Sequence, residues 1–245
     1  MQYFGGKART AKRIAAYLKG QRMPGQAYWE PFVGGAWVMA LMDDDGPRVA
    51  SDICMPLIVM YQELQQGWQP PTEVDETMYA AAKRGDVETH LQAFIGFGCS
   101  FAGKWFGGYA RSGHGDDTAT ACRSLERKFG RNYAANAANS CLKTVPSLKS
   151  VEFFSCDYRQ VTPTGQLIYC DPPYAGTTGY AAAGKWDSAA FWDVMGLWVH
   201  DNTVIVSEYA APEPWRCVLE IPTRTDIRNA RGELEPRVER LFQCI

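Results

Sequence analysis

The residues of this chain best suited to chemistry stand where short apolar runs stop. The run over 166–170 gives way to Asp171-Pro172-Pro173-Tyr174. Two prolines directly after an apolar strand end its pairing and fix the backbone, and they hold the residues before them extended. The product is a rigid shelf with a carboxylate at one side and an aromatic ring at the other. Such a shelf suits an exocyclic amino group on a planar base. Asp171 and a backbone carbonyl would accept its two hydrogens while Tyr174 stacks on the ring. That nitrogen is a poor nucleophile because its lone pair is conjugated into the ring. Two acceptors would draw it toward tetrahedral geometry and free the pair. A surface turn is the plain alternative, since Asp-Pro-Pro is ordinary turn chemistry.

Three further features fall at the ends of apolar runs: Glu30-Pro31-Phe32-Val33-Gly34-Gly35, Asp52 and Asp157. Glycines after a first strand let the backbone approach a bound cofactor. An acid about 20 residues later is placed to accept from ribose hydroxyls. A tight turn needs the same glycines, and Asp52 could equally cap the helix after it.

The elements that must position these residues follow from periodicity and punctuation. Residues 10–19 carry apolar positions at helical spacing, with Thr10 as N-cap and Gly20 as the stop. A strand over 26–32, a helix over 36–42, a strand over 48–51 and a helix from Pro56 to Gly67 follow. From about 70 to 149 strand signals vanish, and glycine, alanine, aromatic and basic residues dominate. Strands resume over 151–156, 166–170 and 203–207, with a helix over 188–200 and late, partly antiparallel strands over 217–221 and 238–244. The expectation is one α/β sheet, built from 1–70 and 150–245, interrupted by a mainly helical insertion over 71–149. Ligands of such sheets bind outside the carboxyl ends of the strands.

Composition sets the class. With 46% hydrophobic and 21% charged residues the chain is globular, which excludes a disordered tail or a fibre. No apolar run approaches the ~20 residues of a membrane span, and the first residues lack a signal-peptide core. The eight cysteines form no C-x-x-C pair, so reduced thiols and a cytoplasmic location are expected. Cys99, His114, Cys122 and Cys141 match no standard zinc spacing, and no metal is expected. The net charge of −2 conceals a partition: residues 99–150 hold eight Lys+Arg against three Asp+Glu.

The ordered series resembles the Dam-type DNA N6-adenine methyltransferases, in the arrangement with cofactor motifs first, a central recognition domain and the catalytic tetrapeptide after it. Tyr3-Phe4-Gly5-Gly6-Lys7 resembles the family's N-terminal cofactor element, and Glu30-Pro31-Phe32-Val33-Gly34 its methionine-binding loop. Ser51-Asp52-Ile53 is similar to its ribose-binding acid, Asp157 to the acid near the cofactor's adenine, and Asp171-Pro172-Pro173-Tyr174 to its catalytic tetrapeptide. Val204-Ile205-Val206-Ser207-Glu208 and Arg237-Val238-Glu239-Arg240-Leu241-Phe242 resemble its pocket-lining strand and its closing element. The resemblance implies a Rossmann-like methyltransferase sheet that binds S-adenosylmethionine through Tyr3, Gly6, Lys7, Glu30, Phe32, Gly34, Asp52, Asp157 and Asp171. The target adenine would be flipped out of duplex DNA onto Asp171 and Tyr174.

The insertion departs from the family. Where that family has an Asn-rich stretch closed by Arg, this chain has glycines and aromatics over 96–110 closed by Arg111. A GATC target is therefore not inherited. Lys104 among glycines and aromatics suits a loop that approaches a backbone or wedges into a stack. Arg123, Arg127 and Arg131 recur at four-residue spacing and would present a basic stripe to phosphates. An aromatic cluster and a solvated helix face are the plain alternatives. Two other activities remain open: amino methylation of cytosine or RNA adenine, and a silent nucleic-acid-binding module.

Overall fold

The computed structural model describes residues 3, 5–111, 132–174, 186–223 and 237–245. The chain divides into two compact units, one of residues 6–58 with 147–245, the other of residues 1–5 with 59–146. The boundaries fall within α2 (Met55–Gln65) and near the end of α5 (Tyr133–Leu148).

The first unit is built on a seven-stranded sheet. Its strands are β1 (Tyr28–Glu30), β2 (Arg48–Asp52), β3 (Val151–Ser155), β4 (Leu167–Cys170), β5 (Thr203–Ser207), β6 (Trp215–Thr223) and β7 (Arg237–Cys244). They lie in the order β3-β2-β1-β4-β5-β7-β6. The first five are parallel, while β7 runs antiparallel to both β5 and β6. This is a doubly wound, Rossmann-like sheet, the α/β class expected from the sequence.

Parallel strands covered on both faces need apolar side chains throughout. β4 (LIYC) is buried at every position, as is β1, and β5 (TVIVS) at all but its first. β6 sits at the sheet edge and alternates irregularly between buried and exposed. Pro222 is tolerated there, as proline is on edge strands, and a register shift falls between Cys217 and Leu219. One face packs on α6 (Ser188–Trp198), whose Phe191, Met195 and Trp198 meet Trp29, Ile168, Val204 and Phe242. Asp187 caps this helix, accepting from Ala189 N and Ala190 N at 3.0 and 3.1 Å.

Two local expectations need correction. The segment 36–42 is not a regular helix. Gly34 and Ala36 take positive φ (46° and 53°), and only a short 3₁₀ turn, Met39–Leu41, follows. The loop is instead tied to the neighbouring strand by Val33 N donating to Ser51 O at 3.0 Å. α1 (Ala11–Gln21) runs through Gly20, and the Thr10 hydroxyl donates back to Lys7 O at 3.3 Å rather than capping the helix.

The second unit is helical: α3 (Glu76–Arg84), α4 (Thr89–Ala93), a π turn over Phe94–Gly98, and most of α5. Asp75 caps α3 through Met78 N at 2.7 Å, and Gly85 ends it in the left-handed region at φ +85°. Gly96 lets the π turn press against Trp105 and Phe106. Phe97, Trp105, Phe106, Tyr79 and Tyr109 form a chain of ring contacts behind it. Among the described residues the segment 71–149 holds no strand, only an isolated bridge between Ser100 and Tyr109.

Candidate active site

The parallel order brings the carboxyl ends of β1, β2, β3 and β4 to one edge. The strand order reverses between β1 and β4, which opens a crevice there. Glu30 ends β1, Asp52 ends β2, and Asp171 follows β4 directly.

Tyr28 and Glu30 stand two residues apart on one face of β1, and the Tyr28 hydroxyl donates to Glu30 Oε1 at 2.6 Å. Glu30 is 3% exposed. Burial pushes its carboxyl up to about 8; Asp171 adds to the rise, and the Tyr28 hydrogen bond opposes it. Glu30 therefore holds its proton at neutral pH.

Asp52 is spent on the backbone. Its Oδ2 accepts from Gly34 N at 3.1 Å and its Oδ1 from Cys54 N at 3.0 Å. It thus closes the glycine loop and begins the turn into α2 at once. Burial lifts its carboxyl to about 6 against the pull of the Cys54, Gly34 and Ile53 amides. Asp157 is bound locally: its Oδ1 accepts from Arg159 N at 3.0 Å, and both oxygens take the Arg159 guanidinium. That pairing holds its carboxyl below the usual range. Phe32 packs among Tyr158, Trp186 and Phe191, with ring centroids 5.0 to 5.9 Å away.

The shelf after β4 carries the densest network. Lys7 Nζ lies 2.6 Å from Asp171 Oδ1 and donates to Tyr174 Oη at 2.8 Å. It also lies 3.5 Å from Glu239 Oε1 and 4.6 Å from the centre of the Tyr174 ring. Tyr174 Oη in turn donates to Glu239 Oε1 at 2.5 Å, and the Tyr209 ring meets Tyr174 edge-on at 4.7 Å. Pro172 is buried and Pro173 half-buried. Burial raises Asp171 to about 6; Lys7 opposes the rise, while Glu239 and Glu208 add to it. Burial works to lower Lys7, but Asp171 and Glu239 outweigh it and leave the ammonium more basic than usual.

The structure thus gathers Lys7, Glu30, Asp52, Asp171 and Tyr174 in the sheet unit. Gly6 is exposed, and Lys7 engages the tetrapeptide. Tyr3 belongs to the helical unit, its ring 4.8 Å from Phe97. In that unit Lys104 is exposed, and Arg111 is exposed but paired with Glu76 at 2.7 Å. Arg123, Arg127 and Arg131, with His114 and Cys122, lie outside the described residues, while Cys99 and Cys141 are buried free thiols. Sequence reasoning placed Glu208 and Glu239 within the pocket-lining and closing motifs but assigned neither side chain a contact, and it did not single out Tyr209. An acid two positions from buried Leu241 on the same strand face was the available signal for Glu239.

The fold defines an α/β protein with buried acids at the carboxyl ends of its parallel strands. Residues 3–90, about a third of the chain, match the model of the D12 class N6 adenine-specific DNA methyltransferase family. That stretch carries Lys7, Glu30, Gly34 and Asp52 and stops before Asp157 and Asp171. The match supports methyl transfer as the class of activity. No curated protein sequence matches the chain. Among solved structures, PH1948 of Pyrococcus horikoshii, named for a proposed RNA methyltransferase activity, overlaps 95% of this chain and 81% of its own, at 8% identity and a TM-score of 0.42. The precorrin-6y C5,15-methyltransferase of Geobacter metallireducens overlaps 99% and 93%, at 7% identity and a TM-score of 0.39. Among the described residues no helix is long and apolar enough to cross a membrane.

Proposed function

We propose that this chain transfers a methyl group from S-adenosylmethionine to the exocyclic N6 amino group of adenine in DNA. The observation that carries the reading is the ammonium of Lys7 on Asp171 Oδ1 at 2.6 Å. The carboxylate at the rim of the shelf already accepts from a nitrogen, as it would from the target amine. The donor set also fits the cofactor. Glu30 and Asp52 are buried carboxyls at the strand ends, and the backbone opens at Gly34, so a cationic ligand with a ribose finds acid groups and close approach together.

Bound there, S-adenosylmethionine supplies an electrophilic sulfonium methyl. The protein's task is then positioning, which alone can supply several kcal/mol of the barrier. Asp171 accepts from the amino group and Tyr174 stacks on the extruded base. Glu30, Asp52 and Asp157 would hold the cofactor, with Phe32 packing beside it. As the C–S bond breaks and the N–C bond forms, the positive charge would pass from sulfur to the amino nitrogen. That nitrogen would then lose a proton through Asp171 to solvent, so no strong base is needed before transfer. In the helical unit, Phe101 is 70% exposed on a strained turn beside Lys104 (Ala102 φ 55°), where an aromatic wedge and a phosphate contact would act together. Arg111, and Arg123, Arg127 and Arg131 beyond the described residues, would add to the phosphate contacts.

The test is transfer of labelled methyl from S-adenosylmethionine to duplex DNA, with single-stranded RNA alongside, followed by identification of the modified base. N6-methyladenine in DNA is expected. Label in cytosine or in RNA would replace the substrate assignment, and binding without transfer would indicate a silent module. Asp171→Ala should abolish transfer while calorimetry shows the cofactor still bound; full-rate transfer by that variant would remove Asp171 from the mechanism.

A further inference from the structure

Glu239 is an acid that the proposed transfer does not use. It stands on β7 opposite Ile221 of β6, is 12% exposed, and reaches the shelf across the sheet. As a mere counter-ion for Lys7 it would be redundant, because Asp171 already lies 2.6 Å from that ammonium and Glu239 lies 3.5 Å away. Its short bond is to the Tyr174 hydroxyl, at 2.5 Å. The phenol accepts from Lys7 and donates to Glu239, so its oxygen is fixed from two sides while Tyr209 buttresses the ring edge-on. An ammonium has three N–H groups, and those of Lys7 have three acceptors in Asp171, Tyr174 and Glu239.

We propose that Glu239 is a positioning residue of this site: its carboxylate locks the Tyr174 ring for stacking on the base and gives Lys7 a second anion, so that Asp171 can exchange the ammonium for the incoming amino group. The inference rests on the methyl-transfer reading above. It makes the shelf a four-member unit of Lys7, Asp171, Tyr174 and Glu239. When the target amine reaches Asp171, Lys7 stays paired, and no buried charge is left uncompensated, a loss that would cost several kcal/mol.

The groups facing Asp171 are Lys7 from the N-terminal segment, Glu30 from β1, Glu208 after β5 and Glu239 from β7. Removing the Glu239 charge therefore removes one anion that resists ionisation of Asp171. Full-length Glu239→Ala, Glu239→Gln, Tyr174→Phe and the Glu239→Ala/Tyr174→Phe double variant would be compared for methyl transfer to duplex DNA and for cofactor Kd by calorimetry. We expect Glu239→Ala to lower kcat on the order of 10- to 100-fold, with the Kd for S-adenosylmethionine little changed. Glu239→Gln keeps an acceptor for the phenol, so it should recover much of that rate and move the acid limb of the kcat/KM profile to lower pH. In the Tyr174→Phe background the alanine substitution should cost clearly less than in the native one, because only its part as second anion for Lys7 remains. Equal losses in both backgrounds would overturn the inference while leaving the methyl-transfer reading intact. An unmoved acid limb in an active Glu239→Gln enzyme would also overturn it. Absence of any transfer by the unaltered chain would instead remove the reading on which it rests.

Discussion

Replacing Glu30 by glutamine should flatten the dependence of stability on pH just above neutrality. The carboxyl ionises near 4.5 in an unfolded chain and near 8 in the folded one, where burial and Asp171 hold it protonated. A group whose folded pKa is raised favours the folded state most below its unfolded pKa, and that benefit is lost as pH rises through the folded pKa. For Glu30 the full benefit is about 5 kcal/mol below pH ~4. It has fallen to roughly 2 kcal/mol at pH ~6.5 and to under about 0.5 kcal/mol at pH ~8. Asp52 and Asp171, each raised to about 6, have lost most of theirs by the start of that interval. The native chain should therefore lose roughly 1.5 kcal/mol between pH ~6.5 and ~8 that Glu30→Gln does not lose. Glutamine keeps the oxygen that accepts from Tyr28 but replaces the single carboxyl O–H with the two N–H groups of an amide. The variant is accordingly offset downward by about 1–3 kcal/mol at all pH. That offset does not enter the difference in slope. Urea unfolding of both proteins at several pH values across the interval measures it. Parallel curves would show that Glu30 is already ionised at neutral pH, and the argument from burial would fail.

Three further outcomes follow from the same geometry. Asp52→Asn can satisfy only one of the Gly34 and Cys54 amides; it should alter stability by less than about 2 kcal/mol, because the lost bond is offset by the absence of a buried charge, yet raise the cofactor Kd tenfold or more on calorimetry (about 1.4 kcal/mol). Unchanged affinity would take Asp52 out of the cofactor site. Gly96→Ala would place a methyl 2.7 Å from Trp105 and 2.9 Å from Phe106; despite the better helix propensity of alanine it should destabilise the helical unit by about 1–3 kcal/mol, seen as an earlier loss of near-ultraviolet dichroism, and an unshifted transition would mean the aromatic packing yields. Lys104→Ala should weaken duplex binding at low salt and reduce the slope of log Kd against log salt by about 1; an unchanged slope would place Lys104 away from phosphate.

The sheet was legible because its central strands are short apolar runs closed by an acid, as buried parallel strands require. Glu30, Asp52 and Asp171 could be placed at one edge for the same reason: parallel strands put their ends together. What escaped was determined by the third dimension. The contact of Lys7 with Asp171 spans 164 positions, and no periodicity records it. The insertion of β7 between β5 and β6 is a matter of pairing, which local pattern cannot order. The segment 36–42 reads as helix by apolar spacing alone, but the glycine loop forces Ala36 to φ 53° and leaves room for a single turn. At Asp157 the sequence does carry a local signal: Arg159, two residues on, bonds both its oxygens, as an Asp-x-Arg spacing allows.

The balance of charge at the shelf argues that the free protein is held short of its own electrostatic optimum. Glu30, Glu208 and Glu239 all act on Asp171, and Lys7 lies among them as a cation. A sheet selected for stability alone would replace such acids with apolar residues, which fill a buried site without the cost of desolvating charge. Here the excess is tolerated by a proton on Glu30, backbone amides on Asp52 and one ammonium shared three ways. Each of those compensations is exchangeable. The proton can leave, the ammonium can shift from one carboxylate to another, and a cation or amine arriving at the strand ends would take over their role. The folded state thus carries a cost that a ligand of the right charge would remove, which ties the raised carboxyls of the free chain to the chemistry proposed for it.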